Sequence, residues 1–387
     1  MAQVRPATAL PAANDDRIAL FDLQRQRARL DGEIKTRIDT VLAHGQFILG
    51  PEVTLLEERL ARFAGAKNAI AVSSGRDALM IALMAMGVKA GDAVFVPAFT
   101  FAATAGAVAS VGASPVFVDV DATSFNMDPA ALEEAVVRVA AAGKLTPRAI
   151  MPVDLYGLPA DYPAIQAVAD RHGLTVLADA AQSFGGELGG RRAGALAPIS
   201  ATSFYPTKPL GCYGDGGAIL TEDETLAESV RMIRSHGRTG TGDEATVLGL
   251  TGRLDTIQAA VLLAKLDVFD LELARRREIA ARYDAALKDI VTVPTIPDGS
   301  ESAYALYTIR VDKRDALKEA LDAAGIGCGL FYRLALHQHP AFREFVEDGL
   351  PVSEQLTREV LSLPLHPDLT DPEVDRVIEA VLDASGA

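Results

Sequence analysis

Between residues 68 and 221 the apolar positions fall into two alternating patterns. NAIAV, AVFVPAFTF, SPVFVDVD, RAIMPVDLYG, LTVLADAAQS and ISATSF are short, nearly unbroken apolar runs. Between the first five lie GRDALMIALMAMG, ATAGAVASVG, DPAALEEAVVRVAAAG and DYPAIQAVADRHG, in which apolar residues recur at helical spacing. Continuous runs predict strands buried on both faces, and their regular alternation with amphipathic helices predicts an α/β fold around a large, mostly parallel sheet. Asp128 followed by Pro129 marks one helix start, and Gly45 ends a helix that begins near Phe21. PEVTLLEERLARFAG is a second helix before the sheet, with proline in its first turn.

After GGAILTED the pattern changes. TLAESVRMIRSHG predicts a helix ending at Gly237, and a polar, glycine-rich loop follows to Gly252. RLDTIQAAVLLAKLDVFDLELARRREIAARYDAAL reads as one long helical stretch linking to a smaller α+β part, in which AYALYTIRVD and GCGLFYR are the expected strands, beside three helices. Residues 1–17 are expected to form a loose tail, 18–255 the large domain, and 256–387 the linking helix and small domain.

The composition narrows the function. Of 387 residues, 49% are hydrophobic and 23% charged, as in a globular protein, and no apolar run reaches the length of a membrane span. The formal charge of −15, with no run of Lys and Arg, argues against nucleic acid as a partner. Two cysteines, Cys212 and Cys328, provide no disulfide framework, and no secretory leader is evident, so a cytoplasmic location is expected. His337 and His339 lack a cysteine or carboxylate spaced to complete a metal site, and none is expected.

In such sheets ligands sit beyond the carboxyl ends of the strands. Ser74, Phe101, Asp179, Ser203 and Lys208 all follow such ends. Lys208 lies between Pro206 and Pro209, ahead of a loop rich in glycine, so a rigid turn aims its amine. Ser73, Ser74 and Gly75 form a small-residue turn into a helix, whose free amides suit a phosphate. Asp179 ends the strand TVLAD, and a buried carboxylate there calls for a cation. A loop lysine, a buried aspartate, a phosphate cup and a nearby aromatic ring are the parts of a pyridoxal phosphate site. The lysine takes the aldehyde as a Schiff base, and the acid keeps the ring nitrogen protonated.

ADAAQSFG, SFYPTKPLGCYGDGGA, GRLDTIQAA and YRLALHQHPAF, in that order, resemble the DegT/DnrJ/StrS family of nucleotide-sugar aminotransferases, and the resemblance covers nearly the whole chain. It implies the aspartate aminotransferase fold (fold type I) with pyridoxal 5'-phosphate as cofactor. It further implies that Lys208 is the Schiff base lysine and proton carrier and that Asp179 pairs with the ring nitrogen. Gln182 would contact the phenolic oxygen, Phe101 would stack on the ring, and Ser203 with the amides after Gly75 would hold the phosphate. The partners implied are a nucleotide sugar, an amino acid donor such as glutamate, and a second copy of the chain in a homodimer with shared active sites.

Three positions depart from the family pattern. Arg76 replaces the usual threonine of the phosphate cup and offers a guanidinium in place of a hydroxyl. Thr251 replaces the asparagine of the loop that reaches the neighbouring subunit, and Arg333 stands where proline is usual. KPLGCYGDGGA and HGQFILGPEV are most similar to the branch that aminates the 3-keto group of a UDP-linked 2-acetamido uronic acid, a step of surface polysaccharide synthesis. Arg238 or Arg333 would meet the carboxylate, and His236, Tyr332 and His337 are further candidate sugar contacts. The alternatives are a 3- or 4-keto aminotransferase acting on a dTDP- or GDP-deoxysugar, a dehydratase, or a regulatory relative that binds the cofactor without turnover. Without G-x-G-x-x-G after the first strand, a nicotinamide enzyme is disfavoured.

Overall fold

The alternation folds as a layered α/β structure. The computed structural model describes residues 16–239, 243–346 and 349–386. Its strands are β1 (Asn68–Val72), β2 (Asp92–Pro97), β3 (Ser114–Val118), β4 (Thr146–Ile150) and β5 (Thr175–Asp179), then a short hairpin of β6 (Glu187–Leu188) and β7 (Arg191–Arg192), then β8 (Ile199–Ser203) and β9 (Gly217–Thr221). Seven of them form one sheet in the order β1-β9-β8-β5-β4-β2-β3. Only β9 runs antiparallel to its neighbours, pairing Val72 with Gly217 on one side and Ser203 with Gly217 on the other. That pairing brings the ends of β1 and β8 together over the start of β9.

Helices cover both faces. They are α1 (Leu23–His44), α2 (Pro51–Ala64), α3 (Gly75–Ala85), α4 (Ala103–Ser110), α5 (Pro129–Ala142), α6 (Tyr162–His172), α7 (Glu224–Arg234), α8 (Thr256–Leu266) and α9 (Phe269–Leu287). The period-two geometry of a strand divides β1 between two cores. Ile70 and Val72 pack with α3, α4 and α7, while Ala69 and Ala71 pack with α2 and α8. A third cluster joins Phe95 and Val176 to α5 and α6. Asp22, Ser74, Asp128, Asp161 and Asp223 cap their helices with side-chain oxygens, and Gly45, Gly65, Gly143 and Gly173 close α1, α2, α5 and α6 at positive φ.

The remainder is β10 (Ser300–Glu301), which pairs with β6, then β11 (Tyr307–Arg310), α10 (Arg314–Ala323), α11 (Pro351–Glu359), β12 (Val360–Leu363) and α12 (Asp371–Ser385), of which β11, α10, β12 and α12 build a separate core. Phe269 and Leu273 of α9 pack with β1 and β9, whereas Ile279 and Tyr283 pack with β11, β12 and α12, so the handover between the cores falls inside α9. Ile18 joins this C-terminal core, and residues 1–15 of the expected tail lie outside the described residues.

Two expectations are corrected. GCGLFYR is not a strand: Gly329 alone bridges to Ser362, and β11 pairs instead with β12, Tyr307 opposite Leu363. Phe331 and Tyr332 pack into one cluster with Phe99 and Tyr156 and do not alternate across a sheet. The long helical stretch breaks between α8 and α9 at Asp267, which Arg37 and Arg59 hold at 3.0 and 2.7 Å. Among the described residues, no helix is long and apolar enough to cross a membrane.

Candidate active site

The site forms where β1, β5 and β8 end. Ser74 caps α3, its Oγ accepting from the Asp77 amide at 3.0 Å, and the first intrahelical bond runs from the Ala78 amide to the Ser74 carbonyl. The amides of Gly75 and Arg76 precede that bond and have no acceptor within the helix. Gly75 lies against Ser203 so closely that a Cβ would stand 2.5 Å from Ser203 Cβ and 2.9 Å from its Oγ. A Cβ on Gly217 would stand 2.6 Å from the Ser74 carbonyl oxygen. The two glycines allow a helix start, a serine hydroxyl and the antiparallel strand to share one small cup.

Beside the cup, Asp179 is 4% exposed at the end of β5. Its carboxylate accepts from Thr104 Oγ1 at 2.9 Å and from the Ala181 amide at 3.2 Å. Burial raises its pKa, and the two hydrogen bonds and the charge of Lys208 act in the opposite direction. Lys208 keeps part of its surface open, yet protein surrounds its amine, and this desolvation pushes its pKa down to about 8 against the upward pull of Asp179. The loop that carries it is tightly built: the Lys208 amide donates to the Tyr205 carbonyl, the Cys212 amide to Phe204, and the Phe204 amide to Gly216, each at 2.8 Å. At Gly211 a Cβ would stand 2.5 Å from the Pro206 carbonyl oxygen.

Gln182 follows Asp179 by three residues and is also buried. Its Oε1 accepts from the Tyr156 amide at 2.9 Å, so its Nε2 is the end left to donate, and this reaches Tyr332 Oη at 3.4 Å. Phe101 is 56% exposed, with its ring centroid 6.2 Å from that of Tyr332. A large aromatic face open at such a site suits stacking against a flat ligand.

Other expected residues lie differently. The Arg76 guanidinium turns away from the cup to α4, donating to Ser110 Oγ at 2.8 Å and to the Gly106 carbonyl at 3.5 Å, so Arg76 offers the cup its amide alone. Thr251 Oγ1 and His236 Nε2 stand 3.3 Å apart, and the adjoining Gly252 carbonyl accepts from the Ser73 amide at the edge of the cup. Arg238 is exposed, 3.7 Å from Asp243, and Arg333 is exposed as well. His337 is buried on the far side of its segment, its Nε2 2.9 Å from Glu354 and its ring beside Phe117. There it lines a cavity of about 380 Å³ along β3 and α5.

Two contributors were not singled out in the sequence. Thr104, in the first turn of α4, is the hydroxyl partner of Asp179. Asp154 follows β4 in PVDLYG, just past a strand end, and the rule that selected Asp179 would have selected it too.

The donor set fits a flat, cationic heteroaromatic phosphate. Two free amides and a serine hydroxyl surround the cup, an acid with only a hydroxyl and an amide as direct donors waits at its floor, and an exposed ring and a desolvated amine flank it. Known proteins agree. Residues 28–382 match the model of the DegT/DnrJ/EryC1/StrS aminotransferase family. The UDP-2-acetamido-2-deoxy-3-oxo-D-glucuronate aminotransferase of Pseudomonas aeruginosa is 46% identical, over 94% of this chain and 99% of that protein. A DegT DnrJ EryC1 StrS aminotransferase from Brucella abortus superposes with a TM-score of 0.94 at 47% identity, covering 96% of this chain and all of that one. NtdA from Bacillus subtilis, solved with bound cofactor PMP, superposes with a TM-score of 0.87 at 29% identity, covering 96% of this chain and 86% of that one.

Proposed function

The chain belongs to the DegT/DnrJ/EryC1/StrS aminotransferase family, and from that premise we propose that it moves an amino group from glutamate to the 3-keto carbon of a UDP-linked 2-acetamido-2-deoxy-hexuronate. The observation that carries this reading is the pairing of Asp179 and Lys208 in one desolvated cup, in a chain 46% identical over nearly its whole length to an enzyme named for that substrate.

Pyridoxal phosphate is the cofactor, supplying an aldehyde to receive the amino group and a ring to draw electrons from the carbon being deprotonated. The amides of Gly75 and Arg76, with Ser203, take the phosphate. Asp179 would keep a proton on the ring nitrogen, Gln182 Nε2 would donate to the phenolic oxygen, and Phe101 would cover one face. Lys208 Nζ moves the proton between the donor or sugar carbon and the cofactor. Its pKa near 8 leaves a useful share of the amine neutral, and so basic, around neutral pH.

Substrate selection is assigned to the rim. Arg238 and Arg333 are the cations proposed for the uronate carboxylate, while His236 and Thr251 adjoin the cup through Gly252 and Ser73, and Tyr332 adjoins Gln182. His337 sits with Glu354 and is omitted from the substrate contacts. A homodimer completes the site, with the loop ahead of Arg253 extending toward the neighbouring copy, and the enzyme works in the cytoplasm.

A panel of UDP- and dTDP-linked keto sugars, each incubated with glutamate and analysed for aminated product, tests the assignment. The expected result is 3-amino product from the UDP-linked uronic acid, with at least about tenfold lower turnover for the analogue lacking the carboxylate. Preferential turnover of a dTDP-deoxysugar would overturn the substrate assignment and leave the aminotransferase intact.

A further inference from the structure

Asp154 is fully buried in the segment that follows β4, where the neighbouring Val153 bridges to Asp179 at the end of β5. Every direct partner of its carboxylate is a donor: Ser183 Oγ at 2.6 Å, Tyr162 Oη at 2.8 Å and the Ala160 amide at 2.9 Å. These three donors favour its ionised, acceptor-only form, and burial acts against them. Ser183 directly follows Gln182, so Asp154 grips from behind the turn whose front side carries Asp179 and Gln182. The same segment is fastened twice more. The Asp154 amide donates to the Asp179 carbonyl at 3.1 Å, and the Tyr156 amide orients Gln182. Asn126 then ties the segment down, accepting from the Leu155 amide at 2.9 Å and donating to the Leu158 carbonyl at 3.0 Å.

We propose that Asp154 is a positioning residue for the cofactor end of the site. Its carboxylate fixes the 179–183 turn in place and adds a second negative charge behind Asp179, which strengthens proton binding by the cationic ring that Asp179 receives. The proposal rests on the pyridoxal phosphate reading above. Two acids on neighbouring segments in a dry interior interact more strongly than they would in water. The influence of Asp179 is visible at Asp154. Burial, with the charge of Asp179 as a lesser cause, pushes Asp154 up to about 6 against its three donors. The groups facing Asp154 are the Tyr162 hydroxyl from α6, Asp179 from β5, and Ser183 and the Ala160 amide from the loops, and none is a cation. The charge of Asp154 is therefore uncompensated except by hydrogen bonds and by whatever cation binds at Asp179.

The test uses the full-length protein loaded with pyridoxal phosphate. The wild type and the variants D154N and S183A are compared by the pH at which the visible absorbance of the bound cofactor titrates, by the cofactor dissociation constant, and by thermal midpoint. Removing a nearby negative charge weakens proton binding by a cation. D154N is expected to lower the titration midpoint by about half a unit or more, a threefold loss of proton affinity, and to raise the dissociation constant by roughly tenfold. S183A keeps the charge but loses the grip, so it is expected to weaken cofactor binding severalfold with the titration midpoint unchanged. If D154N fails to fold, S183A decides by itself, and unaltered cofactor affinity in it overturns the proposal. A folded D154N that titrates and binds like the wild type also overturns it, while leaving the cofactor site in place. If the wild-type absorbance does not depend on Lys208, the reading of the site falls, and this proposal falls with it.

Discussion

Desolvation gives Lys208 its usefulness. An amine with the ordinary pKa of about 10.4 is almost wholly protonated at neutral pH, and a protonated amine neither attacks an aldehyde nor accepts a proton. With the pKa pushed down to about 8, the neutral fraction at pH 7 rises from a few hundredths of a percent to roughly 9%. The rate at which cofactor-free protein captures pyridoxal phosphate through Lys208 is therefore expected to climb about tenfold per pH unit below 8 and level off above it. Stopped-flow absorbance measures this, and a rate still climbing steeply at pH 10 would mean the amine is not desolvated. Residue identity also explains what was legible at this scale. Lys208 and Asp179 stand out because proline, glycine and buried-strand patterns frame them, whereas Gln182 came only with the family resemblance. Arg76 was misleading because its position in the chain says nothing of direction, and its long side chain finds Ser110 on α4. Asp154 was passed over; it lies four residues past the end of β4, whereas Asp179 ends β5 itself.

At the scale of elements, the cup depends on how closely α3 meets β8. A methyl group on Gly75 has no room beside Ser203, so G75A must push the start of α3 away from the serine. Cofactor affinity is expected to fall at least about tenfold in G75A, near 1.4 kcal/mol, whereas R76A, which alters only the tie to α4, is expected to stay within about threefold of the wild type. Equilibrium titration of both variants checks the pair, and the reverse ranking would return the Arg76 guanidinium to the phosphate. The C-terminal core carries a separate pH dependence. His366 is 5% exposed, and burial, reinforced by Arg276, lowers its pKa to about 4. The folded state therefore binds its proton less readily than the unfolded chain, so stability is complete above pH 6.5 and declines as the pH falls toward 4. The loss attributable to His366 is at most about 3 kcal/mol. Denaturant titrations between pH 7 and 4 are expected to show this decline, and a H366N variant to show a shallower one. The strands around the site were legible because each is apolar along its length, while β12 was hidden at the end of a helical pattern. The break between α8 and α9 leaves no proline or glycine in the sequence. It is held by Arg37 and Arg59 on Asp267, contacts from distant parts of the chain.

The whole molecule exposes apolar side chains that a single copy leaves uncovered. Phe47, Ile48 and Leu49 stand out from the loop between α1 and α2, and Leu248, 88% exposed, projects from the loop ahead of Arg253. Contiguous exposed apolar surface is a mark of an interface, and the same loop adjoins the phosphate cup through Gly252 and Ser73. Sedimentation is expected to give the mass of two chains, and the double variant F47E/L248E to sediment as one chain with transfer activity reduced by about tenfold or more. A monomeric double variant with full activity would show that each site is complete within its own chain. The two-core layout was legible as a change from βα alternation to a mixed pattern, but the handover inside α9 was not, since a helix that serves two cores shows only one continuous periodicity.

The most direct measurement of the central claim is the visible absorbance of the purified protein with pyridoxal phosphate, recorded before and after glutamate and repeated with K208A. The account predicts a lysine-dependent band in the wild type that glutamate discharges and the UDP-linked keto sugar restores, and no such band in K208A. A band that persists in K208A, or one that glutamate leaves unchanged in the wild type, would contradict it.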